Sequence, residues 1–543
     1  MPSLLPRTQP ILLDTATTAV FLLSALFLAY QLYRVFVYPY FVSSLRHLPG
    51  PKNHHFFVGQ TVNQFTSGHP EEPFRTWMRR WPDVPLIRYF GFANSDAVLI
   101  NSLQAYKEVL HTKCYSFVRT TGFRRLIQDI IGVGLVFAEG EEHRRQRRAL
   151  GGMTSPISIA VEVLAIFRPY LPMFKEKARD LTKEFYKAIA NKGGLIEGKL
   201  LVTECHRAPS TNLKVTLDVI GIFALGMELK NLETPSEFVQ CYQTVFDPPR
   251  SGEILAAINM IIPIRWIPFP SSNRSFAKAN ARLREILGRI TQQRIDEILA
   301  GKKGSYVQKY DAPNKDLLTY IIEEKYLAVE DKWSKADLVE QVRHLSHHRH
   351  ETTASALTWA TYALGVHHGI AKQLRAEALE LFKRNPDPSF SDIENLRYLN
   401  NFVRESLRIY CPVNGIPRQA TQNVVIAGTH IPKGTTVIPM PSVISFNPTI
   451  WGEDAEEFNP DRWDRLSGPA TDPYAWAAFG HGPRSCIGKA LALLNFKTII
   501  LELVTRFEFD AVNKGKVEVV NPAGQLRPQG GMWMRITKVA ETE

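Results

Sequence analysis

Phe479-Gly480-His481-Gly482-Pro483-Arg484-Ser485-Cys486-Ile487-Gly488 is the stretch on which the fold turns. It sets one cysteine in a glycine-rich turn directly ahead of an apolar, helix-forming run that begins at Lys489. A thiolate needs compensating positive charge, and backbone N–H groups at a helix start supply it while lowering the thiol pKa. Gly482 and Gly488 let the backbone approach a flat cofactor closely, and Arg484 is placed to pair with a carboxylate on it. The remaining cysteines, Cys114, Cys205, Cys241 and Cys411, read as small buried hydrophobes. So odd and widely spaced a set excludes a disulfide scaffold and points to a reducing compartment.

With every specified position filled, the stretch resembles the haem-binding signature of the cytochrome P450 family, Phe-x-x-Gly-x-Arg-x-Cys-x-Gly. The resemblance extends over nearly all of the chain after its leader. It implies a mainly α fold with small β-sheets, haem b as cofactor, and Cys486 as the sulfur ligand to the haem iron, with Phe479, Arg484 and Gly488 binding the cofactor. Glu405-Ser406-Leu407-Arg408 puts acid and base on one helical face. The family joins such a pair to an arginine from a later segment, here Phe458-Asn459-Pro460-Asp461-Arg462-Trp463, which implies a structural network of Glu405, Arg408 and Arg462. His143 and Arg147 stand four apart and look like the pair with which the family holds haem propionates; Arg418 and Arg484 complete that cradle. Arg144, Arg145 and Arg148 read as a solvated helix face, which with Lys489 suits an acidic reductase.

One segment departs from the family. The long central helix usually carries Ala/Gly-Gly-x-Asp/Glu-Thr-Thr, and this chain reads His344-Leu345-Ser346-His347-His348-Arg349-His350-Glu351-Thr352-Thr353. The resemblance makes Glu351 and Thr352 the catalytic acid and alcohol that deliver protons, but Arg349 stands at the glycine position and His348 just before it. Three consecutive helical residues point in three directions, so His347, His348 and Arg349 cannot all avoid a buried core. Three explanations stand: a frame-shifted reading that turns Thr-Thr-Gly into His-His-Arg, a metal cluster, or altered oxygen chemistry. The cluster would use the i,i+4 pairs His344/His348 and His347/Glu351, although the His-Glu-x-x-His order is missing.

Across 543 residues, 45% are hydrophobic and 22% charged, a globular balance that fits one large catalytic unit behind a short leader. The net charge of +12 is spread along the chain without a nucleic-acid module, so it suits a membrane or an acidic partner and not nucleic acid. No repeat at solenoid periods is visible. Thr15 to Tyr33 is free of charge and approaches the ~20 residues a spanning helix needs. A cleaved signal peptide is the competing reading, disfavoured by the bulky Tyr30, Leu32, Tyr33 and Arg34 that follow the apolar run. Arg34, Arg46 and Lys52 after the span, against Arg7 before it, predict a single-pass endoplasmic reticulum protein with its catalytic domain in the cytosol. Leu48-Pro49-Gly50-Pro51 is a stiff joint, giving an anchor over 1–45 and a catalytic domain over 46–543.

The patterning predicts strands at Leu86–Phe90 and Ala97–Ile100, further short strands within Val424–Val437, and helices over Phe276–Ala300, Lys335–His368, Glu394–Tyr410 and Lys489–Phe507. Ala256–Pro270, apolar with Trp266 and three prolines, reads either as a loop dipping into the membrane interface or as a buried loop. The expected activity is monooxygenation of an apolar small molecule, in the manner of fungal members that tailor secondary metabolites. Substrate contacts are expected around Phe117–Ile131, Ala256–Pro270 and Val413–Ile416. No Gly-x-Gly-x-x-Gly follows a strand and no length is spare for a flavin domain, so electrons must come from a separate, membrane-bound NADPH-dependent reductase. The rival readings are a haem isomerase or dehydratase of the same fold and a haem-binding protein impaired by the altered helix.

Overall fold

The computed structural model describes residues 15–151, 168–191, 218–226, 236–301, 316–328, 332–512, 517–520, 526–528, 532 and 534–539, apart from 61–62, 64–66, 133, 220, 247 and 414; of 345–350 it describes the backbone alone. The charge-free leader forms helix α1 (Thr15–Leu32). Wider, π-type turns carry it on to Val42, because Pro39 lacks the N–H that regular helical bonding needs. The apolar stretch Thr17–Val42 is 26 residues long and its most apolar part is unburied, which is length enough to cross a membrane.

The globule begins by gripping the end of this helix. Strands β1 (Leu86–Phe90) and β2 (Asp96–Ile100) pair antiparallel from Leu86↔Ile100 to Phe90↔Asp96. Arg88 pairs with Asp96 at 2.5 Å and donates to the Pro39 carbonyl, while Asp96 also accepts the Ser43 hydroxyl. In the turn between the strands Asn94 adopts a left-handed φ of +50°, which Asn tolerates better than most residues. Its Nδ2 donates to the carbonyls of Val35 and Phe56 at 3.1 and 2.6 Å.

Strand β3 (Phe117–Arg119), strand β4 (Arg418–Ala420), the hairpin β5 (Val424–Ile426) with β6 (Thr429–Ile431), and strand β7 (Thr436–Pro439) follow. The larger sheet has the order β1-β2-β7-β4-β3, in which β2 and β7 are parallel and β3 lies antiparallel to β4 with Arg119 opposite Arg418.

Helices make up most of the rest: α2 (Thr121–Ile131), α3 (Gly140–Gly151), α4 (Arg250–Ile261), α5 (Ser271–Leu299), α6 (Lys335–Val366), α7 (Arg397–Ile409) and α8 (Lys489–Arg506). Helix α6 starts on a capping box in which the Ser334 hydroxyl accepts the Asp337 N–H and the Asp337 carboxylate accepts the Ser334 N–H. It runs unbroken through 345–350, so the departure there leaves the helix backbone intact. The side chains of His347, His348 and Arg349, and with them the metal-cluster reading, lie outside the described residues. Helix α8 is buried almost all round between Leu491 and Val504, as the central helix of a large core must be.

Ala256–Pro270 is helix up to Ile261 and loop beyond it, and its exposure overturns the reading of it as a buried loop. Its first part is the end of α4, which stops at Ile261 because Pro263 disfavours a helical conformation at Ile262. The segment is not buried: Ile258, Ile261 and Ile262 are exposed, and Trp266 and Phe269 are each 78% exposed. Asn259 accepts the N–H groups of Ile264 and Arg265, and Asn273 donates to the carbonyls of Ile264 and Ile267, so the tip is held from within.

Candidate active site

The cysteine loop is shaped by its own backbone. The Cys486 N–H donates to the Phe479 carbonyl at 2.8 Å, and Gly480 and Gly482 take φ values of +60° and +69°. A Cβ on Gly482 would collide with the Leu110 carbonyl. That glycine therefore answers to packing between two protein segments as well as to the close approach expected from the sequence. Gly488 is buried and caps the start of α8. Trp476 ties the loop to α7, its Nε1 donating to the Arg404 carbonyl at 3.1 Å. Cys486 is exposed and in no disulfide, and it lines a cavity of about 320 Å³ together with Phe479, Arg484 and Gly488.

Four arginines and a histidine gather on the same cavity: Arg119, His143, Arg147, Arg418 and Arg484. Arg147 is fixed by the Ser485 carbonyl and hydroxyl at 2.7 and 3.3 Å. His143 is buried, with the Tyr115 hydroxyl 3.1 Å from its Nδ1. Burial, reinforced by Arg484 and Arg147, lowers its pKa to about 3, so the ring is neutral. Burial and the neighbouring Arg484 push Arg418 down to about 10, and burial with Arg418 and Arg484 drives Arg119 well below its ordinary value. Among the described residues Arg418 Nε and Nη1, Arg484 Nε and Arg119 Nη1 are buried with no hydrogen-bond partner. Buried, facing like charges with unsatisfied donors are costly unless an anion joins them.

Arg119 was missed by the sequence reading. The available signal was an arginine two residues from Phe117 in a short strand, hence on the same inward face. Its register partner is Arg418, so the sheet itself sets two guanidinium groups side by side.

On α6, Thr352 and Thr353 line the cavity, and Glu351 is buried one residue before them. His344 lines it as well, its Nε2 accepting the Val136 N–H at 3.3 Å while its ring packs where a Cβ on Gly134 would sit. Phe123, Ile127, Leu135, Val413 and Ile416 give the remaining wall its apolar character.

Glu405, Arg408 and Arg462 meet away from the cavity. Arg408 Nε and Nη2 reach the two Glu405 oxygens at 2.8 Å each, and Arg462 Nε lies 3.2 Å from Glu405 Oε1. Trp463 Nε1 and the Asn459 N–H complete the shell of Glu405 at 3.0 and 2.8 Å. Asp454, unforeseen from the sequence, pairs with Arg462 at 3.0 Å.

A family model described as Cytochrome P450 matches residues 49–533. The chain belongs to the cytochrome P450 family. Among P450 relatives, the monooxygenase sphH of Aspergillus fumigatus is 28% identical, over 96% of this chain and 94% of its own length. The monooxygenase ALT8 of Alternaria alternata is 26% identical over 92% and 91%. The monooxygenase ptmK of Penicillium ochrochloron is 27% identical over 92% and 94%. This P450 is thus an oxidoreductase of a haem-dependent family whose members generally take electrons from a redox partner and act on apolar compounds. Its residues fit that cofactor: a thiol faces the cavity, and unpartnered buried guanidinium donors await carboxylates.

Proposed function

We propose that this chain is a haem-thiolate monooxygenase that inserts one oxygen atom from O2 into an apolar small molecule. The observation that carries the proposal is the pairing, on one cavity, of the Cys486 thiol with a buried cradle of unneutralised arginines. Haem b, when bound, supplies the redox and oxygen-activating chemistry that no side chain possesses. Cys486 would ligate its iron, with Phe479 and Gly488 beside it. Arg418, Arg484, Arg147 and Arg119, with the neutral His143, would hold its two carboxylates. The apolar wall excludes water and receives the substrate. The Thr352 hydroxyl would hold a proton at the cavity surface, and Glu351, buried and adjacent in sequence, would be the acid that replaces it.

Residues 1–45 form the anchor and 46–543 the catalytic domain in this reading. Helix α1 crosses the endoplasmic reticulum membrane once, and the basic residues after it keep the domain in the cytosol. Trp266 and Phe269, exposed on a pinned tip, give a second contact with the bilayer. A membrane-bound, NADPH-dependent reductase docks on the face of Arg144, Arg145 and Arg148, which are exposed on the helix whose Arg147 touches Ser485. The fungal relatives and the apolar cavity favour a place in secondary metabolism. His348 and Arg349, at the positions of the small residues in the family's usual pattern, favour as second reading a haem isomerase or dehydratase that needs no reductase.

The reduced carbon-monoxide difference spectrum tests the first step. A thiolate-type Soret band in the parent and its loss in Cys486→Ala are expected; a parent without haem refutes the proposal. Product formation that needs no reductase selects the second reading.

A further inference from the structure

We infer that Glu139 is a positioning residue for the cofactor cradle: its carboxylate holds Arg484 and Arg119 in place and sets the charge against which a bound haem is reduced. This rests on the haem reading above and goes beyond it, because Glu139 belongs to none of the residues that reading assigns.

Glu139 lies in the turn just before α3. Its Oε2 accepts from Arg484 Nη2, and its Oε1 accepts the Arg119 backbone N–H at 2.9 Å. Arg484 Nη1 donates to the adjacent Ala138 carbonyl at 2.9 Å. One short turn therefore grips both outer nitrogens of the guanidinium and leaves Nε, among the described residues, as its donor without a partner. Arg124 comes within 3.9 Å of the same carboxylate from the solvent side. The Arg484 side chain is 2% exposed and that of Glu139 19%, so the pair is largely withdrawn from water. Arg119 and Arg418 each face other arginines as repulsive neighbours and Glu139 as an attractive one.

Charge counting gives this arrangement a consequence. Arg119, Arg147, Arg418 and Arg484 bring four positive charges to the cavity, and a haem brings two carboxylates. Two positive charges remain in excess, and Glu139 cancels one of them. Without it the arginines repel one another more strongly and Arg484 loses the anchor that aims its free nitrogen. A negative charge near the cofactor also opposes the arrival of an electron, so its removal should raise the reduction potential.

The experiment uses the full-length, haem-loaded protein with Glu139→Gln, which removes the charge, and Glu139→Asp, which keeps it. Haem transfer to apomyoglobin should be about 10- to 100-fold faster for Glu139→Gln, the usual cost of losing an outer-shell partner. Its midpoint potential should move positive, while that of Glu139→Asp stays at the parental value. Complete failure of Glu139→Gln to keep haem, with Glu139→Asp loaded at the parental potential, is the extreme of the expected result. Parental haem transfer and potential in Glu139→Gln would overturn the inference. So would equal loss of thermal stability in both variants with an unchanged potential, or collapse of both, since either assigns Glu139 to packing. A parental protein that takes up no haem would instead refute the functional reading on which this depends.

Discussion

Arg408→Leu removes the most heavily committed cation of the buried network, and its cost can be worked from the contacts. Arg408 donates to both Glu405 oxygens and to the carbonyls of Ser445, Ala455 and Glu457, between 2.6 and 3.0 Å. Leucine leaves the Glu405 carboxylate with Arg462, Trp463 and the Asn459 N–H, so the acid is weakened but not stranded. Breaking a buried pair costs roughly 3–5 kcal/mol. A buried carbonyl that loses its donor adds about 1–3 kcal/mol; Glu457 keeps Arg462 at 3.3 Å, so two carbonyls carry this loss. The sum, roughly 5–11 kcal/mol, rivals the about 5–15 kcal/mol that holds a whole domain. Arg408→Leu should therefore give no cooperatively folded protein at 25 °C. Arg408→Lys keeps the charge, but its three donors cannot serve five acceptors. It should fold, with a lower urea midpoint. The assay is urea unfolding followed by tryptophan fluorescence, with the carbon-monoxide spectrum of the same samples. A cooperative Arg408→Leu transition within about 1 kcal/mol of the parent would refute this reasoning, because such a cost is far below a broken buried pair.

Arg418→Met should act with opposite signs on the two forms. The apoprotein gains thermal stability because a buried, unpartnered guanidinium opposite Arg119 is gone, while haem affinity falls about 10- to 100-fold; melting curves and haem titration check both. Acid should weaken the fold through His143, whose folded pKa of about 3 lies below the unfolded value of 6.5. The unfolded chain binds the extra proton between those values, so this contribution is full above pH 6.5 and declines as pH falls toward about 3. His143→Phe should flatten the dependence of melting temperature on pH over that window. With residues 1–32 deleted, the protein should still float with anionic vesicles, and Trp266→Ser with Phe269→Ser should weaken that binding at least about tenfold, as two large exposed apolar groups would.

What could be read in advance was what is local. The cysteine loop and its following helix are consecutive residues whose roles depend on a turn and a cap, and α8 starts at Lys489 as expected. Helical spacing put Glu405 and Arg408 on one face, and the family resemblance, not the spacing, marked the pair as a structural network. The contacts of Asp454 and Trp463 were not legible, since only the folded chain brings Trp463 onto Glu405 and Asp454 onto Arg462. Strand alternation could have placed Arg119 on the inward face, but its pairing with Arg418 needed the register between β3 and β4, which no single segment encodes. At Ala256–Pro270 composition left an exposed and a buried loop open, and the choice is made by Asn259 and Asn273, which hold the tip through backbone bonds. Glu139 was passed over because an acid before a basic helix looks like ordinary surface until Arg484 arrives from the far end of the chain.

The grip of the β1–β2 turn on the leader has a mechanical side. Arg88, Asn94 and Ser43 fasten the last turns of the apolar helix to a sheet strand at several points, including the Pro39 and Val35 carbonyls. The junction is thus a bracket and not a hinge. Any lean of the helix is passed on to the globule, so the heading of the cavity relative to the helix axis is set by the chain's own hydrogen bonds before any partner arrives.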